Sequence, residues 1–139
     1  MADVIRLEKG FSPWQPASDA HLVKEYAYYE IPLRGVVEQH GVRYYFGCAA
    51  GRDEPVNVWV YVRLSADDEA TLDSASYADF DHAIPLQGPG MLALAIEGPG
   101  VVATYSLDSF SENELARGYR ALIGELESMT ESARELIFG

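Results

Sequence analysis

Catalysis and metal binding need particular side chains at particular spacings, and few such sets occur in this chain. The three histidines, His21, His40 and His82, lie far apart, and none stands in a His-x-x-x-His or Cys/His arrangement. Asp79, Asp81 and His82 are the one local group of potential ligands, and Asp79 and His82 would share a face if that segment were helical. A solvated acidic helix end accounts for the group, so no metal and no cofactor is expected. Cys48 closes a strand-like run on the same side as Val42, Tyr44 and Phe46, the setting of a buried structural thiol. No Gly-x-Ser-x-Gly elbow occurs. Carboxylates are so abundant that pairs of them carry no information about glycosidase-like chemistry. The Gly-Pro-Gly sequences at 88–90 and 98–100 lack the Lys-Ser/Thr end of a phosphate-binding loop, and the second opens a strand instead of a helix. The expectation is a chain with no catalytic residues.

The charge balance points the same way. Twenty-two acidic residues oppose ten basic ones among 139, giving a formal charge of −12. Phosphate backbones are bound by clustered Lys and Arg. Here only Lys9 and Lys24 are lysines, and the eight arginines are scattered. Direct binding to nucleic acid or to an anionic membrane is therefore not expected, whereas a basic protein would be drawn in. No run of about eighteen uncharged apolar residues is present to span a bilayer. Asp3 and Glu8 stand where a secretory signal would carry cations, and the single Cys48 suits a reducing compartment. A cytoplasmic chain is expected.

Periodicity then supplies the elements. Residues 3–9 alternate weakly, as a short strand would. Pro13 and Pro16 make residues 10–20 a loop or docked arm, with Trp14 placed to pin it. The expected organisation is an arm over 1–20 and one domain over 21–139. Ser18 or Asp19 could cap a helix over 19–28, while Tyr26, Tyr28 and Tyr29 favour a strand equally. Residues 33–39 and 42–48 flank His40-Gly41, a tight-turn signal between two strands. Residues 56–64 alternate almost perfectly, Val56, Val58, Val60, Val62 and Leu64 on one side, Asn57, Trp59, Tyr61 and Arg63 on the other. Ser65 and Asp68 form a capping pattern for a helix extending towards Ile84, stopped by Pro85. Residues 91–97 and 101–107 make a hairpin in which Gly100 takes positive φ.

The C-terminal segment opens on a capping box, Ser111 with Glu114. Its stripe of Leu115, Tyr119, Leu122, Leu126, Met129, Ala133 and Leu136 follows helical spacing, with a break at 128–130 left open. Leu115, Tyr119, Leu122, Leu126 and Met129 should pack the sheet or a second copy. The fold expected is α+β, an antiparallel sheet of about five strands with helices on one face. Its other face would present Arg43, Tyr45, Trp59, Tyr61 and Arg63, apolar area with polar tips suited to a protein partner, unless the arm or a second subunit covers it.

The strand VVATYSL leading through DSFSENEL into a helix that starts at Glu112, Glu114 and Leu115 resembles the close of YbjN-type sequences. The element order over residues 20–138 is similar to theirs and to the type III secretion chaperone fold, α-β-β-β-α-β-β-α. The resemblance implies a non-catalytic cytoplasmic protein, often a homodimer, that binds a protein partner. The expected function is thus an acidic, chaperone-like binding protein, homodimeric, engaging a partner that a basic nucleic-acid-binding protein would suit. The alternative is a monomeric inhibitor or immunity-type protein with its acids gathered around Asp67 to Asp81. A third is an enzyme with a pocket near Asp79, Asp81 and His82.

Overall fold

The computed structural model describes residues 5–8, 10–29, 31–50, 56–74, 90–96, 100–107 and 112–138. Six strands are connected in chain order: β1 (Ala20–Tyr29), β2 (Ile31–Gln39), β3 (Val42–Ala50), β4 (Val56–Arg63), β5 (Gly90–Ile96) and β6 (Gly100–Leu107). They form one antiparallel meander in which each strand pairs with its neighbours in sequence. Helix α1 (Ala66–Ser74) lies between β4 and β5, and α2 (Glu112–Phe138) follows β6. The α+β class holds, with six strands in place of about five. The additional strand is β1. There tyrosines pair across to β2 and outweigh the capping signal of Ser18 and Asp19.

Local chemistry sets the connections. His40 and Gly41 both adopt positive φ, 53° and 79°, which is the two-residue hairpin turn whose twist matches its flanking strands. Gly100 likewise takes φ 83°. At the start of α1 the capping box is complete: Asp68 N–H donates to Ser65 Oγ at 3.1 Å, and Ser65 N–H to Asp68 Oδ2 at 3.3 Å. Helix α2 runs unbroken through 128–130. The extension of α1 towards Ile84 and the Ser111 cap fall outside the described residues.

The two faces of the sheet are covered differently. On one, Leu72 of α1 packs on Val36 and Leu64, while Leu122 of α2 packs on Leu92, Leu94 and Leu107. Both helices therefore share that face, as expected. The opposite face carries the main core, Phe46, Trp59, Tyr61, Val37, Tyr44, Met91 and Ala93, and it is closed by the N-terminal segment through Ile5, Leu7 and Trp14. Residues 5–8 are not a strand as their alternation suggested. They lie against the end of β2 through one side chain, Gln39, described below.

Candidate functional site

The surface expected of Arg43, Tyr45, Trp59, Tyr61 and Arg63 does not exist as one face. Across β3 and β4 the partners are Tyr44 with Arg63, Phe46 with Tyr61 and Cys48 with Trp59. Directly opposed residues share a side of the sheet. Trp59, Tyr61 and Arg63 accordingly go with Tyr44 and Phe46, while Arg43 and Tyr45 lie on the helix side with Val62. Trp59 and Tyr61 are also fully buried, both at 0% exposure. The arm encloses them: the Trp14 ring tilts against Trp59 at a centroid distance of 6.0 Å, and the Tyr61 hydroxyl donates to the Pro13 carbonyl at 2.5 Å. Burial raises the Tyr61 hydroxyl pKa well above the phenolic range. An open aromatic face is thereby corrected to a core completed by Ile5, Leu7, Pro13 and Trp14 of the same chain.

Two polar clusters hold this arrangement. In the first, the buried Gln39 amide acts as a substitute strand. Its Oε1 accepts from Arg6 N–H at 2.8 Å, and its Nε2 donates to the Arg6 carbonyl at 3.0 Å and to Asp19 Oδ1 at 2.8 Å. Asp19 Oδ2 also accepts from Arg6 Nη2 and from His40 Nε2, each at 2.6 Å. The Arg6 guanidinium first, then Gln39 and His40, hold the Asp19 carboxyl down at about 2. In the second cluster, Glu69 Oε2 accepts from Lys24 Nζ and Arg43 Nη1, both at 2.6 Å, and Asp73 accepts from Lys24 Nζ and Tyr26 hydroxyl, both at 2.6 Å. Arg43 thus anchors α1 to the sheet instead of facing a partner. A cleft of about 530 Å³ beside it is lined by Arg43, Arg63, Glu69 and Asp73. Its carboxylates are already matched by cations, and the Glu69 and Asp73 pKa values are lowered by those partners. Among the described residues no group of three His, Cys, Asp or Glu could hold a metal ion. Asp79, Asp81 and His82 lie outside them.

The helix stripe is placed as helix packing within one chain. Leu122 is buried, and Leu115, Tyr119 and Leu126 are half-buried on the sheet; the Met129 side chain lies outside the described residues. What the sequence reading missed is the sheet edge beside that helix. Strand order leaves β1 and β6 at the margins. β1 is guarded: it carries His21, Lys24 and Glu25, and its pairing with β2 shifts register three times. β6, GVVATYSL, carries no charge and no proline.

Its outward groups follow from the hairpin. In a two-residue turn the flanking residues, Gln39 and Val42, form a hydrogen-bonded pair. Alternating that pattern across the registers gives hydrogen-bonded pairs at Tyr45–Val62, Tyr61–Met91 and Leu92–Tyr105. Thr104 and Ser106, both exposed, therefore turn their N–H and C=O groups away from β5. Among the described residues nothing outside the sheet hydrogen-bonds the backbone of β6. A run of strand-length, uncharged backbone, unpaired on its outer side among the described residues, was legible in the sequence only once its marginal position was known.

No family model, curated protein or solved structure matches this chain. Among the described residues no helix is long and apolar enough to cross a membrane.

Proposed function

We propose that this chain is a non-catalytic protein-binding protein that docks a polypeptide along the β6 edge, beside α2. The observation that carries this is the uncharged β6 edge, whose outward backbone groups have no partner among the described residues, in a chain of formal charge −12 whose other margin is guarded. An edge of that kind takes up a further strand through main-chain hydrogen bonds. The overall negative charge favours basic partners, and a single cysteine, Cys48, suits a reducing cytoplasm. The inhibitor alternative gathers its acids around Asp67 to Asp81; of these, Glu69 and Asp73 are already engaged by Lys24 and Arg43. A role like that of YbjN-type proteins or secretion chaperones is consistent with this mode of binding, through the β6 edge instead of an aromatic face.

The test is a photo-cross-linking side chain placed at Thr104 in the native host, with the exposed Thr71 of α1 as control position. A protein adduct at Thr104 that is missing at Thr71 is expected. Equal labelling at both positions, or none at Thr104, would remove the basis for the proposal.

A further inference from the structure

We infer that the polypeptide docked on β6 is a second copy of this chain, related by a two-fold axis that passes between the two copies of Thr104 and between the two copies of Ala121. The inference rests on the β6 docking proposed above and concerns what occupies that edge.

The flank of α2 that overlooks the edge can be identified from its contacts. A Cβ added at Gly118 would stand 2.6 Å from Leu92 Cδ1 and 3.1 Å from Tyr105, so this glycine faces β5 and β6. Tyr119 packs in the cluster that holds Val58 and Val60 of β4 as well as Val102, Ala103 and Tyr105 of β6; it leans inward, within electrostatic reach of Cys48 on β3. At about 100° per residue, the flank opposite Tyr119 holds Glu114, Ala121 and Glu125, with Arg117 above them. Ala121, Glu125 and Arg117 are exposed.

Helix and strand are level at one point. From Gly118 to Ala121 the helix advances about 4.5 Å. A strand residue covers about 3.3 Å, so Ala121 stands roughly one residue on from Tyr105, at Thr104. Thr104 is also near the middle of Gly100–Leu107 and turns its N–H and C=O outward. A two-fold axis there pairs Thr104 with its own copy in a hydrogen-bonded antiparallel pair and uses most of the strand.

The same axis brings α2 beside its copy, antiparallel. Because α2 rides over β5 and β6, the two helix axes fall about two strand spacings apart, roughly 10 Å, which is ordinary helix contact distance. Ala121 meets Ala121 of the second copy, where small side chains permit that approach. Arg117, whose guanidinium also lies 3.6 Å from Glu114 of its own helix, and Glu125 lie four residues either side of Ala121. Each arginine therefore faces the glutamate of the second copy, and the flank is complementary to itself in charge. That reciprocal match of Arg117 with Glu125 is what favours a second copy at this edge.

Sedimentation of the full chain with Arg117→Glu, Glu125→Arg and Thr104→Pro tests this, with circular dichroism confirming that each variant is folded. The parent should sediment as a dimer at about 100 μM chain, and each single variant should associate at least about tenfold more weakly. Mixing Arg117→Glu with Glu125→Arg should restore the dimer, since both cross-contacts are then opposite in charge. A monomeric parent overturns the inference, as does a mixture that fails to re-associate. If the parent is monomeric and the Thr104 adduct contains a different protein, docking at β6 stands and only the second copy is lost; with no adduct at all, both fall.

Discussion

Trp59 shows how one residue changes meaning when its surroundings are known. As part of an open face its removal would leave the fold intact; sealed against Trp14 and Phe46 it belongs to the core. Trp59→Ala should destabilise the protein by about 3–5 kcal/mol in denaturant unfolding, the usual range for a buried large aromatic. Tyr61→Phe is subtler. It keeps the ring but leaves the Pro13 carbonyl without its donor, and about 1–3 kcal/mol should be lost. Asp19 makes the docking of the arm depend on pH. Its folded pKa lies below the unfolded one, so the stability it contributes is present above about pH 4 and is lost as the pH falls towards about 2. Trp fluorescence of the arm should follow that loss, and Asp19→Asn should lack it. An unchanged titration in the variant would assign the transition to another carboxylate.

At the scale of the element, two glycines permit close approach for different reasons. A Cβ at Gly118 would meet Leu92, which is buried at 0% exposure and has nowhere to move. Gly118→Val should cost about 1–3 kcal/mol in thermal or chemical unfolding, because overpacking outweighs the gain in helix propensity. Gly35 in β2 is more demanding still. Its added Cβ would strike the Lys24 backbone carbonyl as well as the Phe46 ring at 2.9 Å, so Gly35→Ala should be the more damaging of the two. Gly124 serves as the control, since nothing lies within 4 Å of its Cβ position. If Gly118→Val is as stable as the parent, α2 does not sit on β5 and β6 as described.

For the whole molecule, the sheet has two coverings of unequal kind. The helices α1 and α2 occupy one side, and an irregular arm whose proline-rich stretch is short in regular hydrogen bonds occupies the other. Gln39, the Tyr61 hydroxyl and the Arg6–Asp19 pair hold that arm in place. Deleting residues 1–17 should therefore expose Phe46, Trp59 and Tyr61 together, and should abolish cooperative unfolding or solubility, with increased binding of a hydrophobic dye. A truncated chain that unfolds cooperatively, with the parent's midpoint, would show the arm to be dispensable.

Strand alternation at 56–63, the His40-Gly41 turn, the Ser65–Asp68 capping box and the Leu115-to-Leu126 part of the α2 stripe could be read from the chain on its own, because each depends on residues within a turn or two of one another. Which strand neighbours share a face was decided only by tertiary pairing: a shift of one residue exchanges the sides, and composition does not reveal it. Residues 19–28 likewise stood between helix and strand until β2 supplied cross-strand partners. The functional surface was the least legible part, since β6 looks like any short apolar strand. Only its place at the end of the sheet leaves its outward amides without partners among the described residues.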